Sequence, residues 1–393
     1  MKASKAWLCA CTALAVVLPA APALAQDAST DERAGRNDVY GGDIIVTARR
    51  RVETAQDTPV PMTVLSDTLL DRYGVTGIDS IAQFTPGLLT GESSGAMGGS
   101  ISLRGIGSGE SMAFIDQAVS VNVDGVPISS AQILRAAQMD LQQIEILRGP
   151  QSLFFGKNSP GGIISIITAD PGDTSELMVR TGYEFKARDK YVDITASAPL
   201  TDSIGVRLAT HWSKQKGYIR LVTPNAPGTS SPPPGVIPTE LRHFPKQDEI
   251  FVRGTVAIDP TDRLKIRLKG TYTDTEIVGG SSFFSDIVAC PYGSAQRPYE
   301  DASNCENDGT VYTSQLDPSF LALSPLFYGP YGGRVNKQYL VSGQIDWDMT
   351  DALTLTSVSG YYGVREALTS NGGYGPTSNN GFAVRFTNDQ YSQ

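Results

Sequence analysis

The chain is 393 residues long, room for two or three domains on length alone. Removing its first 25 residues takes away Lys2 and Lys5 and no acid, leaving 30 basic side chains against 41 acidic ones, a net charge of −11. A chain this acidic, with no basic patch interleaved with aromatics, is excluded as a nucleic-acid binder.

Lys2 and Lys5 make a basic start, and Leu8 to Val17 is an apolar run too short to cross a bilayer. Ala23-Leu24-Ala25 then offers the small residues that a signal peptidase accepts, so residues 1–25 read as an export signal. A retained anchor would need a longer run. Cys11 raises a lipoprotein alternative, but most of the apolar run follows it, where a lipobox cysteine would end the signal. Of the four cysteines only Cys290 and Cys305 survive cleavage, flanking a polar stretch of 14 residues. In an oxidising compartment this pair is expected to bridge, stabilising by about 3 kcal/mol.

Residues 26–50 are polar, except for the β-prone hexamer Asp43-Ile44-Ile45-Val46-Thr47-Ala48 between Gly41-Gly42 and Arg49-Arg50-Arg51. It suits addition to another protein's sheet edge, or else forms the first strand of the next domain. Residues 51–172 read as a small α+β unit. Pro59–Leu65 is a strand, Ser66 caps a helix around 68–73, and a helical turn near Ile78–Phe84 stops at Pro86-Gly87. Val119, Val121 and Val123 lead into an Asp124-Gly125 hairpin turn, and Ile144–Leu147 and Ile163–Ile167 are buried strands. Pro171-Gly172 closes the unit.

Over residues 173–393 the apolar period becomes two. Leu177, Val179, Thr181, Tyr183 and Phe185 share one face; Ile204, Val206, Leu208 and Trp212 alternate with Arg207, Ala209 and His211. The strands run about 9–13 residues, the reach of a tilted crossing of a bilayer. The links at 200–203, 259–262 and 350–352 are short and carry Thr-Asp, whereas those near 215–247, 275–336 and 364–380 are long. Outer-membrane barrels have tight periplasmic turns and long external loops; a soluble sandwich has no reason to keep its long loops at one end.

These parts resemble a TonB-dependent outer-membrane receptor. Asp43 to Ala48 is similar to that family's TonB box. Ser102-Leu103-Arg104-Gly105, Val123-Asp124-Gly125-Val126, Ile144-Glu145-Ile146-Leu147-Arg148-Gly149-Pro150-Gln151-Ser152 and Gly156 to Ile164 are similar to its plug signatures. The resemblance implies an α+β plug domain followed by an antiparallel transmembrane β-barrel, of whose 22 strands about seven or eight are expected here. Eight strands enclose only their own side chains, so no plug of about 120 residues fits inside them. The chain is therefore expected to stop before the barrel closes, and as it stands not to transport.

The resemblance further implies active import rather than catalysis. External loops bind a scarce substrate, most commonly a ferric siderophore, with carbohydrate or cobalamin as alternatives. TonB, driven by its inner-membrane energising complex, pairs with the released box and pulls on the plug. Outer-membrane lipid is the other partner. No cofactor or resident metal is expected, since iron would arrive chelated. Arg104, Glu145 and Arg148 are candidates for ion pairs between plug and wall, or for pairing within the plug. Phe283, Phe284, Tyr292, Phe327, Tyr328 and Tyr331 could stack on substrate rings, or pack their loop against itself. Only 17 residues separate the expected cleavage site from the box, too few for an extra signalling domain.

Other motifs fail on spacing. Gly149 to Gly156-Lys157 holds six residues between its glycines rather than four, and Asn158 stands where a phosphate loop needs Ser or Thr. Gly105, Gly107 and Gly109 miss the dinucleotide pattern. His211 and His243 have no evident nucleophile to serve, which disfavours an outer-membrane enzyme. A passive porin would have no use for residues 43–170. The row Arg263, Lys265, Arg267 and Lys269 faces the lumen, to attract an anion or to be matched by neighbouring acids.

Overall fold

The computed structural model describes residues 44–47, 53–73, 78–91, 100–108, 117–128, 139–155, 159–222, 240–279, 310–312, 332–371 and 381–393. The expected export signal (residues 1–25), Asp43, Ala48, Lys157, Cys290, Cys305, Phe283, Phe284, Tyr292, Phe327, Tyr328 and Tyr331 lie outside the described residues.

A short ribbon comes first, β1 (Ile45–Val46) antiparallel to β2 (Glu53–Thr54). The α+β unit follows with β3 (Met62–Ser66), α1 (Asp67–Arg72), α2 (Ile78–Phe84), β4 (Leu88–Gly91), β5 (Ser100–Leu103) and β6 (Ile106–Gly107). It continues through β7 (Val119–Val123), β8 (Val126–Ile128), β9 (Leu141–Arg148), α3 (Ser152–Phe155) and β10 (Gly162–Thr168). Its main sheet has the order β3-β9-β10-β7-β8, with β10 parallel to β7 and antiparallel to β9. The carboxylate that accepts the Thr68 N–H at the start of α1 belongs to Asp67, at 2.6 Å, one residue after the serine expected to cap it. Strands β4–β6 form a separate three-stranded sheet, which the sequence did not announce.

The wall consists of β11 (Glu176–Glu184), β12 (Asp189–Thr201), β13 (Ile204–Gln215), β14 (Ile219–Val222), β15 (Glu240–Phe244), β16 (Lys246–Thr261), β17 (Leu264–Val278), β18 (Thr310–Tyr312), β19 (Gly333–Thr350), β20 (Leu353–Asn371) and β21 (Gly381–Ser392). Eight of these pair antiparallel in the order β11-β12-β13-β16-β17-β19-β20-β21, the seven full strands and the eighth of the expected pattern. β14, β15 and β18 make a small sheet within the long links, and β20 continues to Asn371, beyond the expected start of its loop near 364. Alternation sorts the wall's faces: Leu177, Leu208, Leu268, Val341 and Trp347 are exposed on one side, while Arg253, Lys269, Gln338 and Ser342 are buried on the other. The greasy side is the one that faces lipid in a barrel whose polar side faces inward.

The unit and the wall share one core. Ile101, Leu103, Val119, Val121, Val123, Ile144, Ile146 and Ile164 cluster with Leu340, Tyr362 and Val364 of the wall. Full burial of side chains of this size stabilises by about 1.5–3 kcal/mol each, so apolar packing against β19 and β20 is a large part of the attachment.

Candidate functional site

Two arrangements stand out, one holding the N-terminal ribbon and one pinning the unit to the wall. Ile144 and Ile146 of β9 point into the shared core, so Gln143, Glu145 and Leu147 take the opposite face of the strand. The ribbon lies over Gln143 and Glu145. The Thr47 N–H donates to Glu145 Oε1 at 2.8 Å, and the Thr47 hydroxyl reaches the same oxygen at 3.4 Å. Gln143 Nε2 donates to the Ile45 carbonyl at 3.0 Å and to Glu145 Oε1 at 2.7 Å. Val46 is buried, whereas Ile44 and Ile45 are exposed.

Glu145 is wholly buried, and among the described residues its Oε2 has no hydrogen-bond partner. Burial pushes its carboxyl above the usual carboxylate range, with the bonds from Thr47 and Gln143 acting the other way.

The second arrangement begins at a tight turn. β7 and β8 are joined by Asp124 and Gly125, both with positive φ (48° and 79°), the geometry that Asp-Gly favours. The Asp124 carboxylate accepts the Thr168 N–H at 3.0 Å and the Thr168 hydroxyl at 2.8 Å. Lys269 Nζ of β17 sits 3.1 Å from Asp124 Oδ1 and 2.9 Å from Asp170 Oδ1, and donates to the Thr168 carbonyl at 2.9 Å. Arg267 Nε donates to Asp170 Oδ2 at 2.9 Å. From β13, Arg207 grips Asp140 with a two-point fork, Nε to Oδ2 at 2.9 Å and Nη2 to Oδ1 at 2.6 Å. Arg253 of β16, buried above the Phe251 ring, donates from Nη1 to the Met139 carbonyl at 2.5 Å.

Three wall strands therefore supply four cations to the unit's turn at Asp124, its entry into β9 and its exit from β10. Such pairs earn their place by fixing position: losing one partner is costly, while the intact pair adds little net stability.

The residues singled out from sequence are distributed differently. Arg104 occupies a tight turn between β5 and β6 with φ 53°, and its backbone N–H donates to the Gly87 carbonyl at 2.7 Å. Arg148 Nη2 donates to the Thr63 hydroxyl within the unit. Among the described residues, none of Arg104, Glu145 and Arg148 forms an ion pair with the wall; Asp124, Asp140 and Asp170 do. Of the basic row on β17 and its turn, Arg263, Arg267 and Lys269 are matched by acids. His211 Nδ1 lies 2.5 Å from Asp193 Oδ1, and His243 Nε2 lies 2.6 Å from Arg188 Nη1.

Asp124 carried a usable signal, a turn residue inside a signature. Asp140, Asp170 and Gln143 carried none.

The family model for the TonB-dependent Receptor Plug Domain matches residues 54–163. Pesticin receptors of Yersinia pestis and Yersinia enterocolitica are each 34% identical to this chain, over 162 and 161 residues, which is 41% of the chain and 23% of each relative. The solved ferric yersiniabactin uptake receptor FyuA from Yersinia pestis is similar with a TM-score of 0.57 at 22% identity, covering 79% of this chain and 42% of that one. The ferripyoverdine receptor of the Pseudomonas aeruginosa outer membrane gives 0.60 at 15% identity, over 88% of this chain and 40% of the other. The chain thus matches less than half the length of either solved receptor, and at these identities the likeness establishes the fold.

Proposed function

We propose that this chain, which matches the TonB-dependent receptor plug over residues 54–163 and continues into a sheet folded like the barrel wall of solved receptors, serves an outer-membrane receptor that imports a scarce substrate, a ferric siderophore. The observation that carries the reading is the ribbon of Ile45 and Val46, held by two side chains at the edge of a plug that is itself pinned to the wall. A pull on residues 44–47 is delivered to β9 through Thr47 and Glu145.

Siderophore is the favoured cargo because the relatives include receptors named for ferric yersiniabactin and ferripyoverdine. A chelated iron needs no ligands from the protein, so the reading asks for no metal-binding cluster. The site of action is the outer membrane of a Gram-negative bacterium, with TonB as the periplasmic partner.

In a full-length version with a complete barrel, expressed in a TonB-competent strain, Ile45→Pro removes a backbone N–H from the strand that TonB would pair with. Uptake of radiolabelled iron from ferric siderophores is expected to fall to the level of a TonB-deficient strain, while binding at the cell surface persists. Uptake untouched by the change refutes the reading of this segment. Induction of the gene under iron starvation is expected; its absence, with induction by an oligosaccharide, moves the cargo to carbohydrate.

A further inference from the structure

A β-strand has two hydrogen-bonding edges, and successive residues address them alternately. In β1 one edge is taken by β2: the Ala55 N–H donates to the Ile44 carbonyl at 2.7 Å, and Val46 pairs with Glu53. Ile45 and Thr47 turn their backbone groups the other way, among them the Ile45 carbonyl and the Thr47 N–H. These are the groups that meet Gln143 Nε2 and Glu145 Oε1.

We propose that Gln143 and Glu145 act as a strand mimic, filling the second edge of the coupling strand so that no partner strand can add there until they let go. The proposal rests on the reading of residues 44–47 as the TonB-binding segment. An antiparallel neighbour would offer one donor and one acceptor at this spacing. The Gln143 amide and the Glu145 carboxylate, two residues apart on one face of β9, offer the same pair from side chains. Their mutual bond at 2.7 Å fixes which atom donates and which accepts. With β2 on one edge and this pair on the other, a partner strand cannot reach the Ile45 carbonyl or the Thr47 N–H while β1 is docked.

The hold is also built to be broken. Glu145 is fully buried with one oxygen lacking a partner among the described residues, an arrangement that costs the plug stability rather than adding to it. A stretch meant only to anchor the chain would be served better by an apolar contact. A partner strand that takes over the Ile45 carbonyl and the Thr47 N–H replaces both lost bonds with backbone ones.

The test uses the whole chain in outer-membrane vesicles, with two readouts: deuterium uptake by the peptide covering residues 44–47, and affinity for the periplasmic C-terminal domain of TonB. Gln143→Ala and Glu145→Ala are each expected to speed exchange and to tighten binding, both by about tenfold, the scale of one hydrogen bond. Glu145→Gln keeps the size and an acceptor oxygen, and is expected to stay within about threefold of the parent chain on both readouts. Unchanged exchange in β10 certifies that the plug is intact in each variant. Exchange unaltered by either alanine overturns the proposal. So does faster exchange with weaker TonB binding, which would make these side chains part of the partner's site. Failure of the TonB domain to bind any version, with exchange altered as expected, instead brings down the reading beneath it.

Discussion

Replacing Lys269 by Met tests the attachment of plug to wall with a number. The change keeps most of the apolar stem and removes the ammonium that reaches Asp124, Asp170 and both oxygens of Thr168. The lysine and Asp124 side chains are 8% and 9% exposed, and removing one member of a buried pair costs about 3–5 kcal/mol. Two details place the cost at the low end. Asp124 keeps two bonds from Thr168, and Asp170, 36% exposed, keeps Arg267 on its other oxygen. About 3 kcal/mol is therefore expected, roughly a hundredfold in the population of detached plug. Lys337→Met is the control: its partner Asp274 is 2.9 Å away, but the pair is 42% and 29% exposed, which limits the loss to about 1 kcal/mol or less. Native-state hydrogen exchange of the β7 and β10 amides along a urea series reads both. A Lys269→Met effect no larger than that of Lys337→Met refutes the reasoning.

Two further outcomes follow from the plug itself. Gly125→Ala places a Cβ at a φ of 79° and 3.2 Å from Val358 Cγ1, so the plug is expected to lose about 1–2 kcal/mol, read as earlier loss of exchange protection in β7 and β8. Glu145 titrates with its folded value above the unfolded one, so the folded plug holds the proton more tightly. Its stability is fullest below the ordinary carboxylate range and falls as pH rises through the raised folded value. Glu145→Gln is expected to flatten that slope in plug denaturation followed across acidic pH, and an unchanged slope contradicts the assignment.

The wall was the most legible part of the chain, because burial of one face of an antiparallel sheet forces a period of two, and Leu177 or Val341 cannot shift by one residue without exposing the wrong side. Its small loop sheet of β14, β15 and β18 was not, since β14 and β18 pair across about 90 residues with no local pattern to mark the partnership. In the plug, the Asp124-Gly125 turn announced itself through backbone demands that few residues satisfy. For the charged signature residues the sequence left two readings open, pairing with the wall or within the plug, for a physical reason. Composition tells that Arg104 and Arg148 need partners, but which groups they meet depends on how the plug packs within itself and against the wall. That packing is made by nonlocal contacts, since Tyr362 and Val364 of β20 share one core with plug residues distant in sequence. Asp140 sits among residues with no periodicity, and its two-point bond to Arg207 of β13 joins segments far apart in sequence.

Spin labels placed in turn along the wall strands, with the chain reconstituted in lipid vesicles, test most directly whether this sheet stands in a membrane with its polar face turned to the plug. At Leu208, Val341 and Ile345, collisions with oxygen dissolved in lipid are expected to exceed those with a water-soluble nickel chelate, and the ranking is expected to reverse at Thr195 and Gln344. Equal access of the chelate to both sets would contradict the account.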